Sequence, residues 1–272
     1  PQYDGGEGLN ATVMLVPAGE SMERSMIPVM HWQGGLFGRG TQNLVLKNQL
    51  SGALAELDRE LQVVGEIQRS LLPAELPRIE GFEVAAHYVT SARAGGDYYD
   101  FFPLSDGWGM FIADVAGHGT PAAVLMAITH AIAHAQPGTH TPPGLLLGYL
   151  NRQLTRSYTR GGTFVTAFYA VLDPVKRRIR YAAAGHNPPR LVRGGRVMSL
   201  DRTGSLPLGI MEQEYGEAEV ALERGDLLVM YTDGITEAMA RGKVGEPPRM
   251  FGVDRLDRVL VECGAAGAEE CV

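Results

Sequence analysis

The sequence is poor in cysteine and contains no long apolar run. Among its 272 residues are two cysteines, Cys263 and Cys271, and no CxxC pair. This pattern excludes a cysteine-rich zinc site and a disulfide scaffold, and it fits a reducing compartment. No apolar run reaches the ~18 residues that span a bilayer, and no secretory signal is visible. We therefore expect a cytoplasmic protein that does not associate with a membrane.

Basic residues are also fewer than acidic residues. The chain has 24 Lys and Arg against 31 Asp and Glu, which gives a net charge of −7. A general nucleic-acid binder needs a basic surface to displace the counterions of phosphates, so this class is disfavoured. With 45% hydrophobic residues the chain can bury a core, and its length fits one large domain plus a smaller piece.

The N-terminal part is predicted to be irregular. Residues 1–40 contain repeated glycines that interrupt any long element: Gly5, Gly6, Gly8, Gly34, Gly35, Gly38 and Gly40. We expect this segment to be a leader or the tail of an upstream sensor domain.

A long linker helix is predicted over residues 41–73, ending at Pro73. Apolar residues recur at alternating spacings of four and three, with Gln68 as the only polar residue in the register: Leu50, Leu54, Leu57, Leu61, Val64 and Leu71. Three heptads of this kind are typical of a coiled coil, so a homodimer through residues 44–72 is one interpretation. The alternative is a single helix that packs on its own domain, which Gly52 and Gly65 favour.

From residue 74 onward the predicted strands and helices come in blocks. The pattern indicates an α+β fold of packed layers rather than a doubly wound parallel sheet. The predicted strands are Phe82–Val89, Trp108–Val115, Thr163–Leu172, Arg178–Ala184, Arg190–Met198 and Asp226–Tyr231; the predicted helices are Gly119–Gln136, Pro142–Tyr158 and Val253–Cys263.

Three aspartates share one local setting. Asp97 follows two glycines, and Asp114 and Asp233 each end an apolar strand and lie close to a glycine. A carboxylate at the end of a buried strand is costly unless it is paired, and hard divalent cations prefer oxygen ligands of this type. The three aspartates together therefore indicate a Mg²⁺ or Mn²⁺ site, although a single Asp-Gly is more often only a turn.

The histidines give a weaker signal. His118 lies between glycines at a helix start, where it would protonate a leaving group or cap the turn, and His186 is best explained as fastening a tight loop. His130 and His134 are one helical turn apart but form no HExxH, so a zinc protease is disfavoured. GxSxG and P-loop motifs are absent from the sequence.

Taken together, five motifs resemble those of the SpoIIE/RsbU-type phosphatases, bacterial members of the metal-dependent protein phosphatase 2C-like superfamily. The resemblance extends from about Leu61 to the end of the chain, and the helix before it resembles the linker that joins sensor domains to such phosphatases. The motifs are Gly95–Asp100, Asp114–Gly119 with Pro121–Ala123, Ala184–Pro189, Pro207–Gly209 and Tyr231–Ala238.

The resemblance implies an α-β-β-α four-layer sandwich over residues 74–272 with two Mn²⁺ or Mg²⁺ ions. Asp114 would bridge the metals, the Asp97 carboxylate and the Val115 carbonyl would bind one metal, and Asp233 would bind the other. Water activated by the two cations would attack phosphoserine or phosphothreonine in line, without a covalent enzyme intermediate.

The resemblance also implies a signalling role. The substrates would be phosphorylated regulatory proteins resembling anti-sigma-factor antagonists. Arg93 is a candidate phosphate contact, and Asp100 and His118 are candidate accessory residues; a surface role is as good an explanation for Arg93.

The sequence departs from the family at its C-terminal end, because the closing Asp-Asp-x-Thr motif is absent and only Glu269 and Glu270 follow the last helix. We therefore expect a truncated domain that lacks its last strand and one metal ligand. Two alternatives stay open: a weakly active or inactive regulatory binding module, and a metal-dependent phosphodiesterase acting on small molecules.

Overall fold

The structure is a computed structural model that describes residues 3–4, 7–8, 23–90, 93–135, 142–159, 162–240, 248–264 and 267–271. The chain divides into two compact units, residues 1–60 and 61–272.

The first unit contains a short hairpin and most of a long helix. Strand β1 (Tyr3–Asp4) pairs with β2 (Glu7–Gly8), and a 3-10 turn (Arg24–Met26) leads into α1 (Ile27–Ser70). The predicted helix start near residue 41 was therefore wrong, and residues 27–40 are helical. A helical glycine costs only about 1 kcal/mol, so dispersed glycines did not stop the helix. The leader residues 9–22 lie outside the described residues.

The second unit contains the remaining elements in blocks of strands and helices. The strands are β3 (Tyr98–Leu104), β4 (Gly107–Val115), β5 (Val165–Asp173), β6 (Arg178–Ala184), β7 (Arg190–Arg193), β8 (Arg196–Ser199), β9 (Ala218–Ala221), β10 (Leu227–Val229), β11 (Met239–Ala240) and β12 (Arg249–Met250). The helices are α2 (Thr120–Ala135), α3 (Pro143–Ser157), α4 (Asp233–Thr236), α5 (Val253–Cys263) and α6 (Ala268–Cys271).

The strands form two main antiparallel sheets. The larger sheet has the order β3-β4-β5-β6-β9, and the smaller has the order β10-β7-β8. A hairpin turn divides the predicted strand Arg190–Met198 into β7 and β8, where Arg193 pairs with Arg196. Strands β11 and β12 form a separate two-stranded pair.

Three hydrophobic clusters separate four layers. In the first, Phe111 and Tyr169 of the larger sheet pack with Leu147 and Leu150 of α3. The second holds Phe168 and Ile179 together with Leu191 of the smaller sheet. In the third, Val192 packs with Leu256 and Leu260 of α5. The layer order is therefore helices, sheet, sheet, helix, which confirms the predicted α-β-β-α sandwich.

Two strand predictions differ from the structure. Residues 82–89 form no strand apart from a bridge between Ile79 and Phe82. The place beside β4 that precedes it in the sheet is taken by β3, and the larger sheet does not include residues 82–89. Strand β3 was not predicted, because its YYDFFPL sequence does not alternate cleanly between apolar and polar residues.

The two cysteines are bonded to each other in the structure. The Cys263–Cys271 disulfide links the end of α5 to α6, whereas the cysteine pattern was interpreted as fitting a reducing compartment. One bond across eight residues is still not a disulfide scaffold. Among the described residues, no helix combines the length and apolarity that crossing a membrane requires.

Candidate metal centre

Asp114 lies at the end of β4, the second strand of the larger sheet. Its neighbours Phe111, Ile112 and Ala113 are all buried, while Asp114 is partly exposed. The β5 residue opposite Asp114 is Thr166. The apolar run therefore fixes the strand between two packed layers and presents the carboxylate at the edge of the sandwich.

Asp97 is brought next to Asp114 by a close backbone approach at Gly96. The Val115 amide donates a hydrogen bond to the Gly96 carbonyl over 3.3 Å. A Cβ atom at Gly96 would lie 2.7 Å from the Val115 carbonyl oxygen and 3.2 Å from Asp114 Oδ1. Only glycine permits this approach, and it places the two carboxylates and the Val115 carbonyl together.

Asp233 approaches the same place from the other sheet, in the segment that follows β10. It is the first residue of α4, and the preceding Thr232 hydroxyl donates a 3.2 Å hydrogen bond to Asp97 Oδ2. This bond connects the loop before β3 with the loop after β10. Asp97 lies 17 residues before Asp114 and 136 residues before Asp233 in the sequence, and these contacts bring the three predicted aspartates to one site.

The pKa values of Asp97 and Asp114 show that these carboxylates are partly buried and repel one another. Burial and, after it, the charges of Asp97, Asp233 and Glu237 together raise the pKa of Asp114 to about 7. Burial also raises the pKa of Asp97, although the Thr232 hydrogen bond opposes the shift. The Asp114 carboxyl shares a hydrogen bond with Asp97, which favours a proton on Asp114.

These residues fit a divalent cation. Partly buried carboxylates that repel one another and hold a proton near pH 7 are stabilised when a cation replaces the proton. The donor atoms are all oxygens, the type that Mg²⁺ and Mn²⁺ prefer. Asp97, Asp114 and Asp233, with the Val115 carbonyl, are the residues that would hold it. Glu237, which was not predicted, is a further carboxylate acting on Asp114.

The accessory candidates occupy different places. His118 is exposed in the turn between β4 and α2, where Gly117 and Gly119 have φ values of 106° and 73°. Arg93 is exposed, and its backbone carbonyl packs against Gly65. The structure therefore leaves the functions of His118 and Arg93 as predictions.

Asp100 makes its contacts away from this group of aspartates. It is buried between β3 and α2, where the Tyr98 hydroxyl and His134 Nε2 lie 2.5 and 2.7 Å from its Oδ2. The carboxylates that raise the pKa of Asp114 are Asp97, Asp233 and Glu237, so the contacts of Asp100 do not support an accessory role in this centre.

The motifs that contain His186 and Pro207 support the segments next to the metal centre. The His186 ring is buried, and its Nδ1 lies 2.9 Å from the hydroxyl of Thr166, the residue opposite Asp114. Gly185 has a φ of 64°, and a Cβ there would lie 2.5 Å from Pro207. The loop containing His186 therefore packs on the Pro207 motif, in agreement with its interpretation as a fastened loop.

Gln68 explains the single polar position in the heptad register of α1. Its side chain is 3% exposed. Its Nε2 donates to the Gly95 carbonyl over 2.5 Å, and its Oε1 accepts from the Gly95 amide over 3.0 Å. The end of the helix is thus bonded to the loop that carries Gly96 and Asp97. A polar residue in an apolar register was the only sequence signal for this contact.

With the geometry established, comparison with known proteins assigns the family. Residues 105–272 match the family model of Stage II sporulation protein E (SpoIIE). The chain belongs to the SpoIIE family. Its sequence is 30% identical over 226 residues to the phosphoserine phosphatase RsbU of Bacillus subtilis, and 26% identical over 187 residues to the phosphoserine phosphatase RsbP of the same organism. These alignments cover 82% and 67% of this chain.

The structural comparison supports the same fold for this SpoIIE-family chain. The SiaA-PP2C domain of Pseudomonas aeruginosa superposes with a TM-score of 0.69 at 24% identity, over 80% of this chain and 87% of that chain. The PP2C-like fold is therefore shown. The chain spans 65% of RsbU and 46% of RsbP, so these relatives contain regions that it does not match.

Proposed function

We propose that this SpoIIE-family domain is a metal-dependent phosphatase that hydrolyses phosphoserine or phosphothreonine on a protein. The observation that carries the proposal is the convergence of Asp97, Asp114 and Asp233 at one partly buried site, where burial and the neighbouring carboxylates raise the pKa of Asp114 to about 7. The printed names of RsbU and RsbP, both phosphoserine phosphatases, support the same activity.

Each residue of the proposed metal centre would have its own role. Asp114 would bridge two Mn²⁺ or Mg²⁺ ions, with Asp97 and the Val115 carbonyl on one side and Asp233 on the other. Bound divalent cations supply water activation and neutralisation of the phosphate charge. Thr232 would hold the Asp97 carboxylate in place through its hydrogen bond. Because Asp233 is exposed, a phosphorylated side chain would approach from that side.

The substrate would be a phosphorylated regulatory protein, resembling an anti-sigma-factor antagonist, in bacterial signalling. This part of the proposal rests on the resemblance to RsbU-type phosphatases. The linker helix would join the domain to an upstream sensor and pair with a second copy. The cytoplasmic location remains a prediction.

The direct test is Mn²⁺-dependent release of phosphate from a phosphoserine protein. We expect release by the wild-type chain that is abolished by EDTA. The variant Asp114→Asn should lose at least about 100-fold in rate, a loss of roughly 3 kcal/mol of transition-state stabilisation. Asp106→Asn, at an exposed turn between β3 and β4, is the matched control and should keep the wild-type rate.

Two outcomes would contradict the proposal. If Asp114→Asn retains the wild-type rate, Asp114 does not bridge the metals. If the folded wild-type chain binds Mn²⁺ but releases no phosphate, a regulatory binding module becomes the better explanation. Hydrolysis of phosphodiesters in preference to phosphoserine would instead favour the phosphodiesterase.

A further inference from the structure

A second group of metal-binding side chains lies between β3 and α2, outside the carboxylate centre. Asp100 of β3 and His130 and His134 of α2 each direct one ligand atom into a common space, and these atoms all lie within 4.8 Å of one another. We propose that these three residues form a separate binding site for a borderline transition-metal ion such as Zn²⁺.

The two histidines are positioned by helical geometry. Residues four apart lie on one face of an α-helix, one turn above the other. In α2 the His130 and His134 rings have centroids 4.3 Å apart and planes inclined by 35°. Two neighbouring imidazoles on one helical face can bind one ion together, as paired histidines do in helical zinc sites.

Asp100 completes the set from the neighbouring sheet. It is 7% exposed, and its Oδ2 lies 2.7 Å from His134 Nε2. The Phe101 amide donates to its Oδ1 over 2.7 Å, and the Tyr98 hydroxyl donates to its Oδ2. A ligand carboxylate that is itself held by hydrogen bonds is typical of metal sites, because these outer partners fix its orientation.

The distances fit a metal after side-chain movement. Ligands around tetrahedral Zn²⁺ at 2.0–2.2 Å are separated by about 3.3 Å, so the His134 and Asp100 atoms, which are 2.7 Å apart, need to separate slightly, and ligand atoms that lie up to 4.8 Å apart need to approach each other. The His134 side chain is 47% exposed and is free to move by that amount. The exposed side of the site also leaves a fourth position for water.

The chemistry separates this site from the carboxylate centre. Two imidazoles and one carboxylate favour Zn²⁺, Co²⁺ or Ni²⁺, whereas all-oxygen ligands favour Mg²⁺ and Mn²⁺. A simple hydrogen bond between His134 and Asp100 would account for those two residues, but it does not use His130. The ring of His130 also packs edge-on against Tyr98, with centroids 5.5 Å apart, which holds it beside Asp100.

A bound ion would connect α2 to β3, and β3 begins immediately after Asp97. The inference does not depend on the proposed phosphatase activity. It is tested by titrating the whole chain with Zn²⁺ in an isothermal calorimeter, with millimolar Mg²⁺ present to occupy the carboxylate centre. Thermal unfolding with and without Zn²⁺ provides a second measurement.

The test compares two histidine variants. His134→Gln removes one ligand at a half-exposed position, where folding should be preserved, and His87→Gln changes an exposed histidine outside the cluster. We expect wild type and His87→Gln to bind about one equivalent of Zn²⁺ with the same affinity and to melt at a higher temperature with it. His134→Gln should bind at least about 100-fold more weakly, exceeding the 10- to 100-fold cost of losing an outer-shell partner.

The inference fails if wild type binds no Zn²⁺ beyond millimolar affinity. It also fails if His134→Gln keeps the wild-type affinity, because the ion is then held elsewhere. Loss of binding in His87→Gln to the same extent as in His134→Gln would likewise contradict it.

Discussion

At the scale of single residues, the metal centre depends on residues that hold neighbouring segments in place. One of them tolerates no larger side chain. This residue is Gly96, since the space that a side chain would need is taken by the Val115 carbonyl, 2.7 Å from the Cβ position. His186 also holds its segment in place, because its buried ring contacts the strand that lies beside Asp114. Neither residue is a proposed metal ligand, yet both determine where the ligands lie.

Replacing Gly96 with alanine should therefore weaken metal binding. The added methyl group forces the start of β3 away from the end of β4, which separates Asp97 from Asp114. We expect Gly96→Ala to need at least about tenfold more Mn²⁺ for half-maximal binding, equivalent to about 1.4 kcal/mol, measured by calorimetry. Gly204→Ala, where nothing lies within 4 Å of the new Cβ, is the control. Equal Mn²⁺ affinity in both variants would contradict the role given to Gly96.

His186 should make the protein less stable in acid. Burial lowers its pKa to about 4 from an ordinary value of 6.5. The unfolded chain takes up a proton below pH 6.5 while the folded protein does not, so stability falls as the pH decreases from 6.5 to 4. The contribution is up to about 3 kcal/mol at 1.36 kcal/mol per pKa unit.

The measurement is the free energy of unfolding by urea at several pH values. The decrease between pH 6.5 and 4 should be smaller in His186→Gln than in wild type. The raised pKa values of Asp97 and Asp114 act in the opposite direction, but equally in both proteins. His87→Gln, at an exposed position, should behave as wild type; if it matches His186→Gln, the acid effect does not come from burial.

At the scale of elements, the end of α1 is bonded to the loop before β3. Gln68 makes two hydrogen bonds to the Gly95 backbone, and Gly65 leaves room for the Arg93 carbonyl, 2.0 Å from the position of a Cβ. The last turns of α1 therefore pack on the loop before Asp97. A change in this helix end would reach a proposed metal ligand through a few residues.

Gln68→Leu should disturb this connection. The substitution leaves the amide and carbonyl of Gly95 without their partner, at a cost of about 1–3 kcal/mol for a buried polar group. We expect a lower melting temperature and weaker Mn²⁺ binding. Gln62→Leu is the matched control, because Gln62 is exposed on the same helix and bonds only locally to Glu66. A Gln68→Leu protein indistinguishable from Gln62→Leu would rule out the connection.

The heptad pattern of α1 still predicts self-association. Leu50, Leu54 and Leu57 are 61%, 56% and 52% exposed in the single chain, so this apolar row is available to a second copy. Leu57→Glu with Val64→Glu should convert a dimer to a monomer, because charges at core positions of a coiled coil cannot be buried. Sedimentation measures the mass. An unchanged mass would leave the single-helix interpretation.

At the scale of the whole molecule, the proposed metal links the two sheets. Asp114 belongs to the larger sheet, Asp97 immediately precedes its strand β3, and Asp233 follows β10 of the smaller sheet, so their mutual repulsion opposes the packing of the sandwich at neutral pH. A cation that binds only the folded state stabilises it in proportion to the logarithm of its concentration.

We therefore expect millimolar Mn²⁺ to raise the melting temperature by several degrees, since about 1 kcal/mol corresponds to roughly 2–4 °C in a domain of this size. Asp114→Asn should melt higher than wild type in EDTA, because it removes one of the repelling charges, and should show a smaller rise with Mn²⁺. Scanning calorimetry measures both. The same Mn²⁺ increment in wild type and variant would contradict this account of the centre.

Much of the architecture follows from local pattern. The apolar runs of β4 and β5 and the amphipathic pattern of α5 were predicted close to their observed bounds, because central strands and packed helices have strong local signals. The start of α1 and strand β3 were missed. A few glycines cost too little to stop a long helix, and β3 has an irregular pattern that only its pairing with β4 determines.

The sequence by itself determined the α+β class and the candidate aspartates, because apolar runs and Asp-Gly pairs are local features, while the four-layer order was implied by the resemblance to the phosphatase family. Only the tertiary structure decided which of these carboxylates meet. Asp97, Asp114 and Asp233 meet because the close approach at Gly96 and the Thr232 hydrogen bond join distant segments, whereas Asp100 faces α2 because side chains alternate along a strand. The tertiary structure also paired Gln68 with Gly95 and brought Asp100 to the two histidines of α2, His130 and His134, since such contacts depend on which elements pack together.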